Sequence, residues 1–261
     1  MALMAFCLIW GMAGALISLL LSKQMAKWLM GVRIIDPNTS NHEEQMLYAM
    51  VARLSQQARL PKVPEVGIFS SPEPNAFATG PSKRRSLVAL SKGLIRNLSK
   101  EEIEAVIGHE LAHIANGDMV TMTLLQGVVN AFVMFLARIL AYAASGFLSK
   151  DRDHRHNSYI TFSLFTFLFE MIFMIFGMMI IAFFSRIREY RADRESALLL
   201  GKAPMIQALR KLERLQSLSD VEIKAQPVEA LMITSAKKKS FLQLFATHPP
   251  IAERIARLET L

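Results

Sequence analysis

Residues 99–118 read SKEEIEAVIGHELAHIANGD. Ser99 and Glu102 form the S-x-x-E pattern of a capping box, in which two side chains satisfy free backbone amides at a helix start. Ile103, Val106 and Ile107 carry the helix forward, and Asn116-Gly117 supplies a stop. His109 and His113 then lie one turn apart on one face, with Glu110 directly after the first. Two imidazoles so placed reach a single zinc ion, and the glutamate can point at a water beside it. That set makes a water nucleophile at neutral pH and supplies a base for its proton. The plainer reading is a helix carrying two solvated or core histidines.

Composition narrows the setting. The chain has 261 residues, enough for one large domain or two small ones. It is 52% hydrophobic, which is high for a soluble protein and points to membrane spans. The net charge is +8, from 30 basic and 22 acidic residues. The basic residues flank apolar runs and no nucleic-acid motif is present, so the charge suits an anionic membrane face and no nucleic-acid partner is expected. Cys7 is the only cysteine, which excludes an internal disulfide and a cysteine zinc site. A metal site must use His, Asp and Glu.

Working outward from the motif, Val120 to Leu148 is mostly apolar, and as a helix of 29 residues it would be about 43 Å long. That exceeds the hydrocarbon core, so part of it is free to project into the site domain. A short charged loop, Lys150 to His156, precedes a second apolar run, Ile160 to Phe184. The two form a hairpin, out and back. Leu3 to Leu21 is a third apolar run, followed by Lys23, Lys27 and Arg33; its charges lie on the wrong side for a signal peptide. Arg186, Arg188, Arg191 and Arg194 follow the hairpin. The positive-inside rule then gives three spans, N-terminus outside, with the soluble parts in the cytoplasm. Gly11, Gly14 and Ser18 mark a face of the first span that allows close helix packing. The expected organisation is a span at 1–22, a site-bearing part at 23–119, the hairpin at 120–184 and a second site-bearing part at 185–261. Arg138 and Glu170 each lie 16 positions from His154, at similar depth in the hairpin. Either they pair, or each snorkels or faces a wet cavity.

In the soluble parts, Met46, Leu47, Met50, Val51 and Leu54 fall at helical spacing within Asn41 to Leu60. Val66 to Phe69 and Leu87 to Leu90 are strand-like and could pair as a small sheet. Lys202 to Leu261 reads as helical, with Pro204 suited to a helix start and Ser235 to Ser240 a solvated loop.

A catalytic zinc needs a third protein ligand and one open position. His154 and His156 fall in the loop across the membrane, so both are solvated loop residues rather than ligands. Asp118, five residues past His113, reads as a helix-end residue. Glu189 and Asp193 come just past the hairpin, which returns them to the membrane face that Val120 left. They are one turn apart, so one could bind zinc while the other accepts the N–H of a ligating histidine. Alternatively both pair with the neighbouring arginines on a solvated helix.

Ile107-Gly-His-Glu-Leu-Ala-His-Ile-Ala-Asn-Gly-Asp118, Glu189-Tyr-Arg-Ala-Asp193 and Thr247-His-Pro-Pro250 together resemble the HtpX family of bacterial membrane zinc metalloproteases, relatives of the CAAX prenyl proteases. Asn75-Ala-Phe-Ala-Thr-Gly80 and Ser185-Arg-Ile-Arg188 also match, so the resemblance covers nearly the whole chain. It implies a mainly α membrane protein with a cytoplasmic, zincin-like α+β metalloprotease domain holding a small β-sheet. It implies one Zn2+ per chain on His109, His113 and Glu189, with Glu110 as general base and Asp193 as the carboxylate behind a ligand. His248 resembles a histidine that helps stabilise the transition state. Its plainer role is capping, because it precedes Pro249-Pro250 and a helix running to Leu258. Arg254, one turn inside that helix, is placed to orient His248 or a carboxylate. Asn75, Ala76, Phe77, Ala78 and Thr79 resemble the strand lining the substrate cleft, beside which an extended substrate could add with little sequence preference. The family usually carries a further apolar segment ahead of Leu3 to Leu21; this chain begins where the family's second span begins.

The implied activity is zinc-dependent hydrolysis of damaged or misfolded membrane proteins and unfolded polypeptides at the bacterial inner membrane, as stress-linked quality control in contact with the bilayer. Three other readings compete with it. In an intramembrane protease the zinc helix would itself be a span, but Lys100, Glu101, Glu102 and Glu104 start this one in water. A non-catalytic membrane adaptor or channel would keep the histidines for structure. A nucleic-acid binder has only the net charge in its favour.

Overall fold

The structure is a computed structural model and describes residues 2–148, 155–224 and 246–261. The chain runs α1 (Ala2–Leu29), β1 (Arg33–Ile34), α2 (His42–Gln57), β2 (Glu65–Phe69), β3 (Ala76–Thr79), β4 (Leu87–Ser91), α3 (Lys92–Asn97), α4 (Lys100–Asn116), α5 (Asp118–Leu148), α6 (Arg155–Leu200), α7 (Lys202–Lys224) and α8 (Ile251–Glu259). His154 and Ser235 to Ser240 lie outside the described residues, as does the side chain of His156. Among the described residues, α1, α5 and α6 are long and apolar enough to cross a membrane. Two compact units result: Met1–Ser18 with Thr121–Phe184, and Leu19–Val120 with Ser185–Leu261.

The first unit is helical. Gly11 lies so close to α5 that an added Cβ would sit 2.8 Å from the Ala131 amide nitrogen, whereas Gly14 faces open space. The small-residue face is therefore used for close packing at one glycine only. Arg138 Nη1 donates to Glu170 Oε1 at 2.9 Å and to Met134 O of its own helix at 3.0 Å. Of the two alternatives for this pair, pairing is the one realised.

The second unit carries a four-stranded sheet in the order β1-β2-β4-β3. The two strands legible in the sequence, β2 and β4, pair in parallel, with Val66 opposite Val88. Parallel neighbours need a crossover. The chain makes it through β3, which adds antiparallel to the far side of β4 with Phe77 opposite Ala89. β1 adds to the outer edge of β2 through two residues. A strand that short has no periodicity and cannot be read from spacing. The core lies between sheet and helices: Leu47, Val51 and Leu54 of α2 meet Val88 and Leu90 of β4 and Ile107, Leu111 and Ile114 of α4. Burying each such side chain contributes about 2 kcal/mol. That burial fixes the inner face of α4 and leaves its histidine face for another partner.

Candidate metal centre

Local rules set the ends of the motif helix. Ser99 Oγ accepts from the Glu102 amide at 3.3 Å, and the Ser99 amide donates to Glu102 Oε2 at 2.7 Å. At the other end Gly117 adopts φ 71°, in the left-handed region that favours glycine. The chain reverses there and α5 begins at Asp118.

Helix α6 brings the rest of the site, and Gly108 lets it approach. A Cβ at 108 would stand 2.9 Å from Ser196 Oγ, which donates to Ala105 O at 2.7 Å. A larger residue beside His109 would keep the two helices apart.

Between the helices, His109 Nε2 and His113 Nε2 lie 3.2 Å apart. Glu189 completes a triangle, with Oε2 3.5 Å from His109 Nε2 and Oε1 3.3 Å from His113 Nε2. All three side chains are buried. Behind each imidazole stands a carboxylate. Asp118 Oδ2 is 2.7 Å from His113 Nδ1. Asp193 Oδ1 is 2.9 Å from His109 Nδ1. Arg254 grips Asp193 through both oxygens, Nε to Oδ2 at 2.7 Å and Nη2 to Oδ1 at 2.6 Å. His248 Nδ1 lies 2.9 Å from Glu189 Oε2 on a side chain that is 67% exposed.

Charge follows from this packing. Burial disfavours a proton on His109, but Asp193 and Glu189 outweigh it and raise its pKa to about 9. His113 is raised too: burial opposes its charge, and Asp118 and Glu189 overcome that. Burial likewise opposes charge on Glu189, yet His109, His113 and His248 hold it well below the usual carboxylate range. Asp193 is lowered against its own burial by Arg254 and His109.

These donors fit a zinc ion. With each Nδ1 turned to a carboxylate, both Nε2 lone pairs converge beside a third carboxylate. Such a convergence demands positive charge at its centre. A tetrahedral zinc with nitrogens at about 2.05 Å holds them about 3.3 Å apart, close to the spacing here. One ligand atom from each of His109, His113 and Glu189 lies within 4.8 Å of the others.

A cleft of about 150 Å3 opens on this cluster, lined among others by Asn75, Ala76, Glu110, His248 and Arg254. The structure thus gathers His109, Glu110, His113, Glu189, Asp193, His248 and Arg254 at one place. Arg254 orients a carboxylate, Asp193, rather than His248. Of the strand 75–79, Asn75 and Ala76 line the cleft. Phe77 instead packs against Phe69 with ring centroids 5.5 Å apart, and Ala78 and Thr79 continue the sheet edge. Of the arginines after the hairpin, Arg188 touches Glu189, at 3.4 Å. Asp118 corrects the sequence reading: it is no mere helix-end residue, because the turn at Gly117 swings its carboxylate back onto His113. Its position directly after a left-handed glycine stop was the available signal.

Two histidines on one helix, a downstream glutamate and an acidic residue behind each imidazole, beside three membrane-length helices among the described residues, fit the class of membrane metallopeptidases. Residues 41–261 match the model of peptidase family M48, and the chain belongs to that family, which generally uses zinc. It is similar to the Protease HtpX homolog of Bacillus subtilis (strain 168), at 49% identity over 261 residues, 99% of this chain and 85% of that relative. The Protease HtpX homolog of Polaromonas naphthalenivorans (strain CJ2) is 49% identical over 259 residues, again 99% of this chain and 85% of the relative. Its fold is similar to the crystal structure of S. mikatae Ste24p, with a TM-score of 0.69 over 98% of this chain and 58% of that one, at 19% identity.

Proposed function

We propose that this metallopeptidase is a zinc endopeptidase that cuts damaged or misfolded membrane proteins on the cytoplasmic side of the bacterial inner membrane. The observation carrying the chemistry is the convergence of two imidazole nitrogens and a buried carboxylate beside Glu110 in an open cleft. Supporting the setting are the three apolar helices among the described residues and the basic residues at the C-terminal end of α1 and after the apolar part of α6.

His109, His113 and Glu189 would hold the ion. When bound, zinc acidifies a water and polarises the scissile carbonyl. Glu110 takes the proton of the attacking water and delivers it to the leaving amine as the C–N bond breaks. Its charge already bears on His113 of the same helix and on Arg254. His248 stands at the mouth, where an N–H donor would meet negative charge developing on the carbonyl oxygen. Asp193 and Asp118 fix the ring orientations, and Arg254 holds Asp193 in place. The edge of β3, which pairs with no further strand among the described residues, offers backbone groups to an extended chain, which favours unfolded segments over a defined sequence.

The test is cleavage of an unfolded membrane protein by purified chain, with zinc measured in parallel. Wild type cleaves and a chelator stops it. Glu110→Gln keeps its zinc and loses activity by at least about a hundredfold. Full activity in Glu110→Gln would refute the mechanism.

A further inference from the structure

Most basic residues near the span ends are already engaged. Lys23 and Lys27 both contact Glu65, at 2.6 and 2.7 Å. Arg188 touches Glu189. Arg84 and Arg85, in the turn between β3 and β4, are different. Both are exposed, and neither side chain has a hydrogen bond or ion pair among the described residues.

That turn is rigid. The Arg85 amide donates to Ser82 O at 3.0 Å, and Ser86 Oγ donates to Lys83 O at 3.3 Å. At its base Gly80 has φ 141°, and a Cβ there would collide with the Arg85 carbonyl oxygen. Lys83 Nζ donates to Ala115 O at the C-terminal end of α4. Ala115 is three residues before α5 begins and five before the apolar run at Val120. The turn is therefore pinned where the chain enters a span, and it presents two unpaired guanidinium groups there.

We propose that the turn of residues 80–86 docks the phosphate of an anionic lipid headgroup through Arg84 and Arg85. A guanidinium pairs with phosphate oxygens through two parallel N–H bonds, which favours this occupant over a diffuse counterion. A basic residue at the surface strengthens association with an anionic leaflet about fivefold, so two give about twenty-fivefold. Lys83 serves as the anchor, spending its ammonium on the Ala115 carbonyl. Headgroup binding thereby also steadies the end of the zinc helix two residues past His113. This inference needs only a membrane-embedded chain and stands apart from the proposed substrates.

The experiment places the full chain in bilayer discs of equal phosphatidylglycerol and phosphatidylcholine and measures, by mass spectrometry, which lipid stays bound after gentle extraction. Wild type retains phosphatidylglycerol preferentially, and R84Q/R85Q lowers that preference about twenty-fivefold with zinc content unchanged. R84K/R85K keeps the charge but not the two-bond contact and shows an intermediate preference with zinc content unchanged, which separates loss of charge from loss of fold. Equal preference in wild type and R84Q/R85Q overturns the proposal. So does wild type that binds inorganic phosphate or an acidic peptide but shows no lipid preference.

Discussion

The proton on each site histidine is set by the carboxylate behind it. Asp118 holds Nδ1–H of His113 and so turns the Nε2 lone pair toward Glu189. Asp118→Asn keeps the shape but presents an amide that can donate, which permits the wrong tautomer. We expect a ten- to hundredfold loss of zinc affinity, on the order seen for carboxylates behind metal-bound histidines, read by competition with a chromogenic chelator. Unchanged affinity would reduce Asp118 to a helix-end residue after all. The pH dependence follows from the same groups. His109 has a folded-state pKa of about 9, so the metal-free site carries its proton at neutral pH. Zinc must displace that proton. Apparent affinity therefore rises with pH up to about 9, by about tenfold per unit for each proton released, and levels off above it. A titration showing equal affinity at neutral and mildly alkaline pH would contradict this.

Helices α4 and α6 make the site by lying close together, and Gly108 is the position that allows it. Gly108→Val puts carbon into a space where a Cβ already meets Ser196 Oγ at 2.9 Å. The expected result is a loss of about 1–3 kcal/mol in unfolding measurements, together with weaker zinc binding as Glu189 and Asp193 move away. A variant that melts and binds zinc like wild type would show that the close approach is not needed. The elements differ in how plainly the sequence announced them. α4 was legible from capping box to glycine stop because its rules are local. α2, β2 and β4 followed from hydrophobic spacing. β3 was visible only through family resemblance, since AFAT beside a Pro/Ser-rich stretch has no period of its own.

Across the whole molecule, the site depends on residues far apart in the chain: His109 on α4 and Glu189 late in α6 are 80 positions apart, with all of α5 between them. Glu189 and Asp193 are legible in the sequence because a hairpin must return the chain to its starting face. Arg138 and Glu170 were placed at matching depth by the same reasoning, and their ion pair at 2.9 Å agrees with it. Whether Glu189 or Asp193 was the ligand was beyond spacing alone. Packing favours Glu189 as the ligand, since it faces both Nε2 atoms while Asp193 is taken by Arg254. The His-His-Glu centre is the claim on which everything else rests, and metal content tests it most directly. Zinc is measured in purified wild-type chain and in Glu189→Ala. The account predicts one zinc per wild-type chain and little or none in the variant, whereas stoichiometric zinc in Glu189→Ala would contradict it.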